Sequence, residues 1–262
     1  MNAIEFKDVT KVYNPLDFWK KDSYKALDGV ALEVKKGEVF GLLGVNGAGK
    51  TTLMKILLGL LRPTEGTVKI FGDTIENSEI RKKIGYLSEI PYFPKYLKAV
   101  EVLSYFSDIL GIPASEKKDR IDYVLNTVNL YEKRNTRIKG FSKGMQGRLG
   151  LAQAILNDPE LLLLDEPMSG LDPLGYKETR DIILNLHKKG KTIFFNSHIL
   201  SEIEKICDRL AVLHKGRLLP VETVTSIKKR YKSLEDYFVK SVAGPAPDKI
   251  KTGKRGKKGG GK

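Results

Sequence analysis

Eight consecutive residues, Gly44-Val45-Asn46-Gly47-Ala48-Gly49-Lys50-Thr51, carry the pattern G-x-x-x-x-G-K-[ST], which suits the chemistry of a phosphate chain. Holding phosphates takes many N–H donors aimed into one small space, and glycines let the backbone close around the anion without β-carbons in the way. Lys50 adds a mobile positive charge toward the β- and γ-phosphates of a nucleotide, and the hydroxyl of Thr51 can ligate Mg²⁺. Elsewhere, Asp165 and Glu166 close an uninterrupted apolar run that starts at Leu161. Two carboxylates at the end of a buried run are costly unless paired, and a bound metal would pair them. Glu89 and His198 also stand at the ends of apolar stretches.

The elements needed to position these groups can be read from hydropathy. Glu38-Val-Phe-Gly-Leu-Leu43 reads as a buried strand entering the loop, and Thr52-Leu-Met-Lys-Ile-Leu-Leu58 as a helix leaving it, the order the motif requires. Residues 3–13 alternate apolar and polar, which predicts an edge strand with one buried face. Residues 26–36 repeat that alternation as its antiparallel partner, with a long aromatic loop, 14–23, between them. Short strands follow at 66–72 and 84–89. From Ile90 to about Pro159 the pattern turns helical, with Val100, Leu103, Phe106 and Leu110 three and four residues apart. Ser142 reads as the N-cap of the last helix of this segment, whose apolar face carries Met145, Leu149, Ala152 and Leu156.

Leu161-Leu-Leu-Leu-Asp165 reads as a central parallel strand buried on both faces. Ser169-Gly-Leu-Asp172 is a turn, 174–189 a helix, and Thr192-Ile-Phe-Phe-Asn-Ser197 a second buried strand leading to His198. A helix at 199–206, a strand at 209–213, a hairpin turn at Lys215-Gly216 and helices over 224–242 complete the chain. Gly190-Lys191-Thr192 repeats the end of the loop pattern, but Asn185 occupies the position of its first glycine, so it reads as a helix end running into a strand. Strands alternating with helices imply a mostly parallel α/β sheet whose ligands bind at the carboxyl ends of strands. Gly44, Glu89, Asp165 and His198 each follow such a strand, so all four can converge on one nucleotide.

The 262 residues suffice for one large domain with an inserted subdomain, or two small domains. No apolar run reaches the length of a membrane span, and the first residues lack an apolar signal segment, so a cytoplasmic location is expected. One cysteine, Cys207, excludes an internal disulfide framework. Of the net charge of +14, Lys249, Lys251, Lys254, Arg255, Lys257, Lys258 and Lys262 against Asp248 contribute +6. Residues 244–262 therefore read as a disordered basic tail, solvated rather than tied to a specific partner.

Taken together, the motifs resemble the ATP-binding subunits of ABC transporters over about residues 4–219, in the family's order. These are the phosphate loop, Glu89 after strand 84–87, Phe141-Ser-Lys-Gly-Met145 as the signature, Leu161 to Glu166 as the Walker B strand, Ser169 to Asp172 as the D-loop, and His198 as the switch histidine. The resemblance implies a P-loop NTPase core with an antiparallel β edge, a helical subdomain at about 90–160 and a C-terminal helical extension at about 220–243, together one ABC ATPase domain over 1–243. Two departures stand out. The family's signature is usually Leu-Ser-Gly-Gly-Gln, of which only Ser142 and Gly144 are kept, and Glu89 replaces a usual glutamine.

The implied chemistry is in-line attack of water on the γ-phosphate of ATP, catalysed by positioning and charge neutralisation. Gly44, Val45, Asn46, Gly47, Ala48, Gly49, Lys50, Thr51 and Thr52 would hold the phosphates. Thr51, Asp165 and Glu89 would serve Mg²⁺, Glu166 would be the general base, and His198 would orient Glu166 and the γ-phosphate. Tyr13 is the candidate to stack on adenine, with Tyr24 and Trp19 as alternatives. Ser142 and Gly144 would act in trans on the ATP of a second ATP-binding subunit, a further copy or a similar chain. The resemblance further implies separate membrane permease subunits docked on the helical insert, where Tyr92, Phe93 and Tyr96 are either a contact or plain core. It thus places the chain at the cytoplasmic face of the membrane, and Ser233-Leu-Glu-Asp-Tyr-Phe238 tilts the reading toward export. The rivals are an ABC ATPase acting on nucleic acid or ribosomes and a non-hydrolysing sensor. Lys50 to Ser142 leaves no room for a DNA-repair coiled coil, a single phosphate loop argues against the ribosomal kind, and the intact Glu166 argues against the sensor. No specific nucleic acid is expected.

Overall fold

The computed structural model describes residues 1–14 and 23–243; Trp19, most of the aromatic loop and the basic stretch 244–262 lie outside them. In chain order the elements are β1 (Asn2–Tyr13), β2 (Tyr24–Lys35), β3 (Val39–Leu43), α1 (Lys50–Leu57), β4 (Glu65–Ile70), β5 (Asp73–Thr74), α2 (Ser78–Arg81) and β6 (Ile84–Leu87). Then come α3 (Ala99–Ile109), α4 (Ala114–Thr127), α5 (Lys143–Ala154), β7 (Leu161–Asp165), α6 (Pro173–Lys188), β8 (Thr192–Ser197) and α7 (Leu200–Ile206). The last are β9 (Arg209–His214), β10 (Arg217–Leu218), β11 (Glu222–Thr223), α8 (Val224–Arg230) and α9 (Leu234–Ala243).

Five strands run parallel in the order β9-β3-β8-β7-β6, with β10 and β11 added antiparallel along β9. Both faces of this sheet are buried, and the period of two divides its side chains between two cores. Val39, Leu43, Leu162, Leu164, Ile193 and Phe195 pack with the helices of the 99–186 region. Phe40, Leu42, Leu161, Leu163 and Phe194 pack with α1 and the antiparallel strands. Phe40 and Phe194 stack with ring centroids 5.7 Å apart.

The antiparallel strands form a separate four-stranded sheet, β2-β1-β4-β5. Here β1 is not the predicted edge: it lies between β2 and β4. The alternation of residues 3–13 reports one buried face and carries no information about how many neighbours a strand has. A second difference lies at the start of the helical segment. Pro91 and Pro94 keep 90–98 irregular, and the first helix begins at Ala99. Its buried stripe is Ala99, Val102, Leu103 and Ser107, with Val100 and Phe106 partly buried, while Leu110 caps the exposed end. The other predicted elements fall within a few residues of their expected places, Gly190 ending the turn after α6 with φ of 85°. Among the described residues no helix is long and apolar enough to cross a membrane.

Two glycines set how closely α5 lies against β6. A β-carbon on Gly85 would collide with the carbonyl oxygen of Ala154, and one on Gly150 would meet Leu87 Cδ1 at 2.6 Å. Because backbone approaches backbone here, the start of α5, with Ser142 and Gly144, is fixed relative to the strand that leads to Glu89.

Candidate functional site

The loop 44–49 connects the carboxyl end of β3 to the amino end of α1, so its amides and the helix dipole converge on one anion-sized space. Gly49, the residue before α1, has φ of 111°, and a β-carbon there would strike the Ala26 carbonyl. Ala48 is 2% exposed and anchors the loop from beneath: its carbonyl accepts the Gly216 N–H at 3.0 Å, and its N–H donates to Val45 at 3.1 Å. The buried ammonium of Lys50 donates to the Gly44 carbonyl at 2.5 Å.

The strands β7 and β8 bring the carboxylates and His198 to the same edge. Asn196 at the end of β8 donates its side-chain amide to Asp165 Oδ1, and its carbonyl accepts the Glu166 N–H at 2.9 Å. Glu166 has φ of 49°, a left-handed conformation that costs a non-glycine residue on the order of 1 kcal/mol. Its Oε1 is 2.8 Å from His198 Nδ1 and 4.0 Å from Lys50 Nζ. Its Oε2 is buried without a partner.

The electrostatics follow from burial. Desolvation lowers the Lys50 pKa, opposed by the charges of Glu166, Asp165 and Glu89. Desolvation raises that of Asp165, helped by Glu166 and Glu89 and opposed by the Asn196 hydrogen bond and by Lys50. Three carboxylates against one buried ammonium leave the site short of positive charge. Yet no group of three or more acidic, histidine or cysteine side chains among the described residues forms a metal cage. Mg²⁺ fits this donor set, because it keeps several waters and takes one or two carboxylates together with substrate phosphates rather than an all-protein shell.

A cavity of about 540 Å³ is lined by Tyr24, Val45, Asn46, Gly47, Gly49, Lys50, Thr51, Thr52, Glu89, Glu166 and His198. Gly44 borders a neighbouring cavity of about 230 Å³ with Leu200 and with Phe238 of α9. Asp165 lines neither cavity, and Asn196 holds its Oδ1. Tyr13 does not line the larger cavity. Its hydroxyl is 3.5 Å from Thr52 Oγ1, whereas Tyr24 lines the cavity and donates to the Gly47 carbonyl at 3.0 Å.

Ser142 and Gly144 line neither of these two cavities. Ser142 caps α5 by accepting the Met145 N–H at 3.2 Å and is exposed. The cluster 92–96 divides: Phe93 is 5% exposed, Tyr92 86% and Tyr96 72%, and the three border an apolar cavity of about 400 Å³ with Tyr105 and Phe106. Sequence reading missed Asn196 and Ser197, whose only signal is polarity at the end of an apolar strand.

Residues 27–169 match the sequence profile of a family described as ABC transporter. An uncharacterised ABC transporter ATP-binding protein of Nostoc sp. is 50% identical over 220 residues, 83% of this chain and 65% of that protein. A second such protein, from Synechocystis sp., is 46% identical over 83% of this chain and 62% of its own length, so the chain spans less than two thirds of either. The bacitracin transport ATP-binding protein BcrA of Bacillus licheniformis is 44% identical over 87% of this chain and 72% of its own. Among solved structures, the ATP-binding subunit of an ABC transporter is 29% identical, with a TM-score of 0.77 over 90% of this chain and 98% of that one. A dimeric ATP-binding cassette in a post-hydrolysis state, bound to ADP and Pi, is 26% identical, with a TM-score of 0.75 over 84% and 98%.

Proposed function

We propose, from the premise that this chain belongs to the ABC transporter family, that it is the ATP-hydrolysing subunit of a transporter and couples Mg-ATP binding, dimer closure and hydrolysis to transport through separate membrane subunits. The observation that carries the reading is the asymmetry of Glu166, which lines the cavity with the phosphate loop: Oε1 is held by His198, and Oε2 is buried without a partner.

In this reading Lys50 and the loop amides hold the β- and γ-phosphates of ATP. Thr51, Asp165 and Glu89 would hold Mg²⁺, which would supply neutralisation of charge on the phosphate oxygens. Water attacks the γ-phosphorus as the bond to the β–γ bridging oxygen breaks, and Glu166 Oε2 takes the proton. His198 donates from Nδ1 to Oε1 and so orients the base. Tyr24, which lines the cavity, is better placed than Tyr13 to stack on adenine.

The cavity holds the hydrolytic groups of one chain but not Ser142 or Gly144, which supports their action in trans on a second ATP-binding subunit. Exposed Tyr92 and Tyr96 on the insert support docking of membrane permease subunits, and with them a place at the cytoplasmic face. The resemblance of Ser233-Leu-Glu-Asp-Tyr-Phe238 to exporter-type subunits favours export, and one relative is a bacitracin transport protein. The domain reading is 1–243 as one ABC ATPase unit, with 90–160 as its helical subdomain and 220–243 as an extension. Saturable binding of a fluorescent ATP analogue, with Mg²⁺-dependent phosphate release, is the direct test. Absence of both in the purified chain contradicts the reading.

A further inference from the structure

We propose that Glu202 is a positioning residue for His198, acting through Ser197 to set the contact between His198 and Glu166. Glu202 lies in the first turn of α7 and is 1% exposed; Ser197 is fully buried. The Ser197 hydroxyl donates to Glu202 Oε2 at 2.6 Å, and Ser197 Oγ accepts the Ile199 N–H at 3.0 Å. Ser197 and Ile199 are the two chain neighbours of His198, so the carboxylate clamps the backbone on both sides of it. The His198 ring itself is 46% exposed and has little packing to hold it. Its 2.8 Å contact with Glu166 therefore depends on where the backbone places its Cα.

A buried carboxylate is an expensive way to start a helix. The neighbouring Ile203 and Ile206 show that this helix otherwise meets the core with apolar side chains. Among the described residues Ser197 is the one side chain that hydrogen-bonds the Glu202 carboxylate, and the nearby Tyr176 hydroxyl is buried without a partner. What the carboxylate adds over an apolar residue is a fixed acceptor for Ser197. Since small displacements of reacting groups cost about a hundredfold in rate, such a clamp is worth its desolvation.

The inference rests on the reading of His198 and Glu166 as hydrolytic groups. Steady-state ATP hydrolysis of Ser197→Ala, Glu202→Ala, Glu202→Gln, His198→Ala and the double change His198→Ala with Ser197→Ala tests it, alongside thermal melts. Ser197→Ala and Glu202→Ala should lower kcat by about ten- to a hundredfold while KM for ATP moves less than about threefold. Glu202→Gln, whose amide oxygen still accepts from Ser197, should recover most of the loss. On the His198→Ala background, Ser197→Ala should add less than about twofold. A fully additive double change, or a loss carried by KM, overturns the proposal. If Glu202→Ala does not fold, Ser197→Ala, which removes one oxygen, decides alone. If His198→Ala is impaired and Ser197→Ala is not, only the positioning role falls. If His198→Ala hydrolyses at the parent rate, the role of His198 falls and takes the positioning role with it.

Discussion

His198 Nδ1 lies 2.8 Å from Glu166 Oε1 and leaves Oε2 of the same carboxylate buried without a partner. One oxygen fixes the orientation of the group and the other is free to take a proton, the division a positioned general base requires. Glu166 also holds a left-handed backbone, strain of the kind that clusters at active sites.

Replacing His198 with Ala should leave nucleotide affinity within about threefold of the parent and lower kcat by about ten- to a hundredfold, since the change removes orientation of the base rather than phosphate contacts. Phosphate release and an equilibrium titration measured on the same preparation check it. Equal losses in both would mean that His198 acts mainly in binding.

For Lys50→Ala the expected order is reversed. The ammonium is the one buried side-chain cation among the groups lining the cavity. A hydrogen bond to a charged group contributes about 1.5–3 kcal/mol, so affinity for an ATP analogue should fall by about ten- to a hundredfold. Unchanged binding in a fluorescence titration would remove the phosphates from this loop.

Asp165 links the site to stability. Burial raises its pKa above the ordinary value of 3.8. The folded state therefore binds more protons than the unfolded one, and stability present below that value is lost as pH rises through the folded pKa. Asp165→Asn should accordingly raise the melting temperature of the nucleotide-free protein at about pH 7, with the gain vanishing toward about pH 4. Mg-ATP should stabilise the variant less than the parent. Scanning fluorimetry with and without Mg-ATP reads both effects, and a variant that melts lower than the parent at neutral pH contradicts the sign.

Gly85→Ala should destabilise the fold by about 1–3 kcal/mol, because the new β-carbon meets a backbone oxygen of α5 that no rotamer change can move. Gly147, also in α5, has open space around its Cα, so Gly147→Ala should stabilise by about 0.5–1 kcal/mol. Denaturant midpoints compare the two, and a neutral Gly85→Ala would mean that α5 can slide on β6.

Most of the fold was legible because its central strands are short apolar runs punctuated by glycine, proline and paired carboxylates. The loop 44–51, Asp165, Glu166 and His198 were legible because they combine a motif with a place at a strand end. The interior position of β1 was not, since alternation describes a face and not a neighbour. Neither was the clamp around His198: Ser197 and Glu202 are polar letters in apolar surroundings, and their pairing exists only once α7 folds back over β8. The choice between Tyr13 and Tyr24 depends on how the paired ends of β1 and β2 meet the phosphate loop, a tertiary fact that spacing does not carry.

The central claim is that Glu166 is the base of a site completed by a second chain, and Glu166→Gln tests it most directly. The substitution keeps shape and hydrogen bonding and removes the basic charge, so hydrolysis should fall by roughly 10²–10⁴-fold while ATP binding survives. With Mg-ATP the variant should elute as a dimer on size exclusion and without nucleotide as a monomer. Hydrolysis at the parent rate would contradict the assignment and move the role to Glu89. Lost hydrolysis with a protein that stays monomeric in Mg-ATP would contradict closure of two copies of this chain on each other.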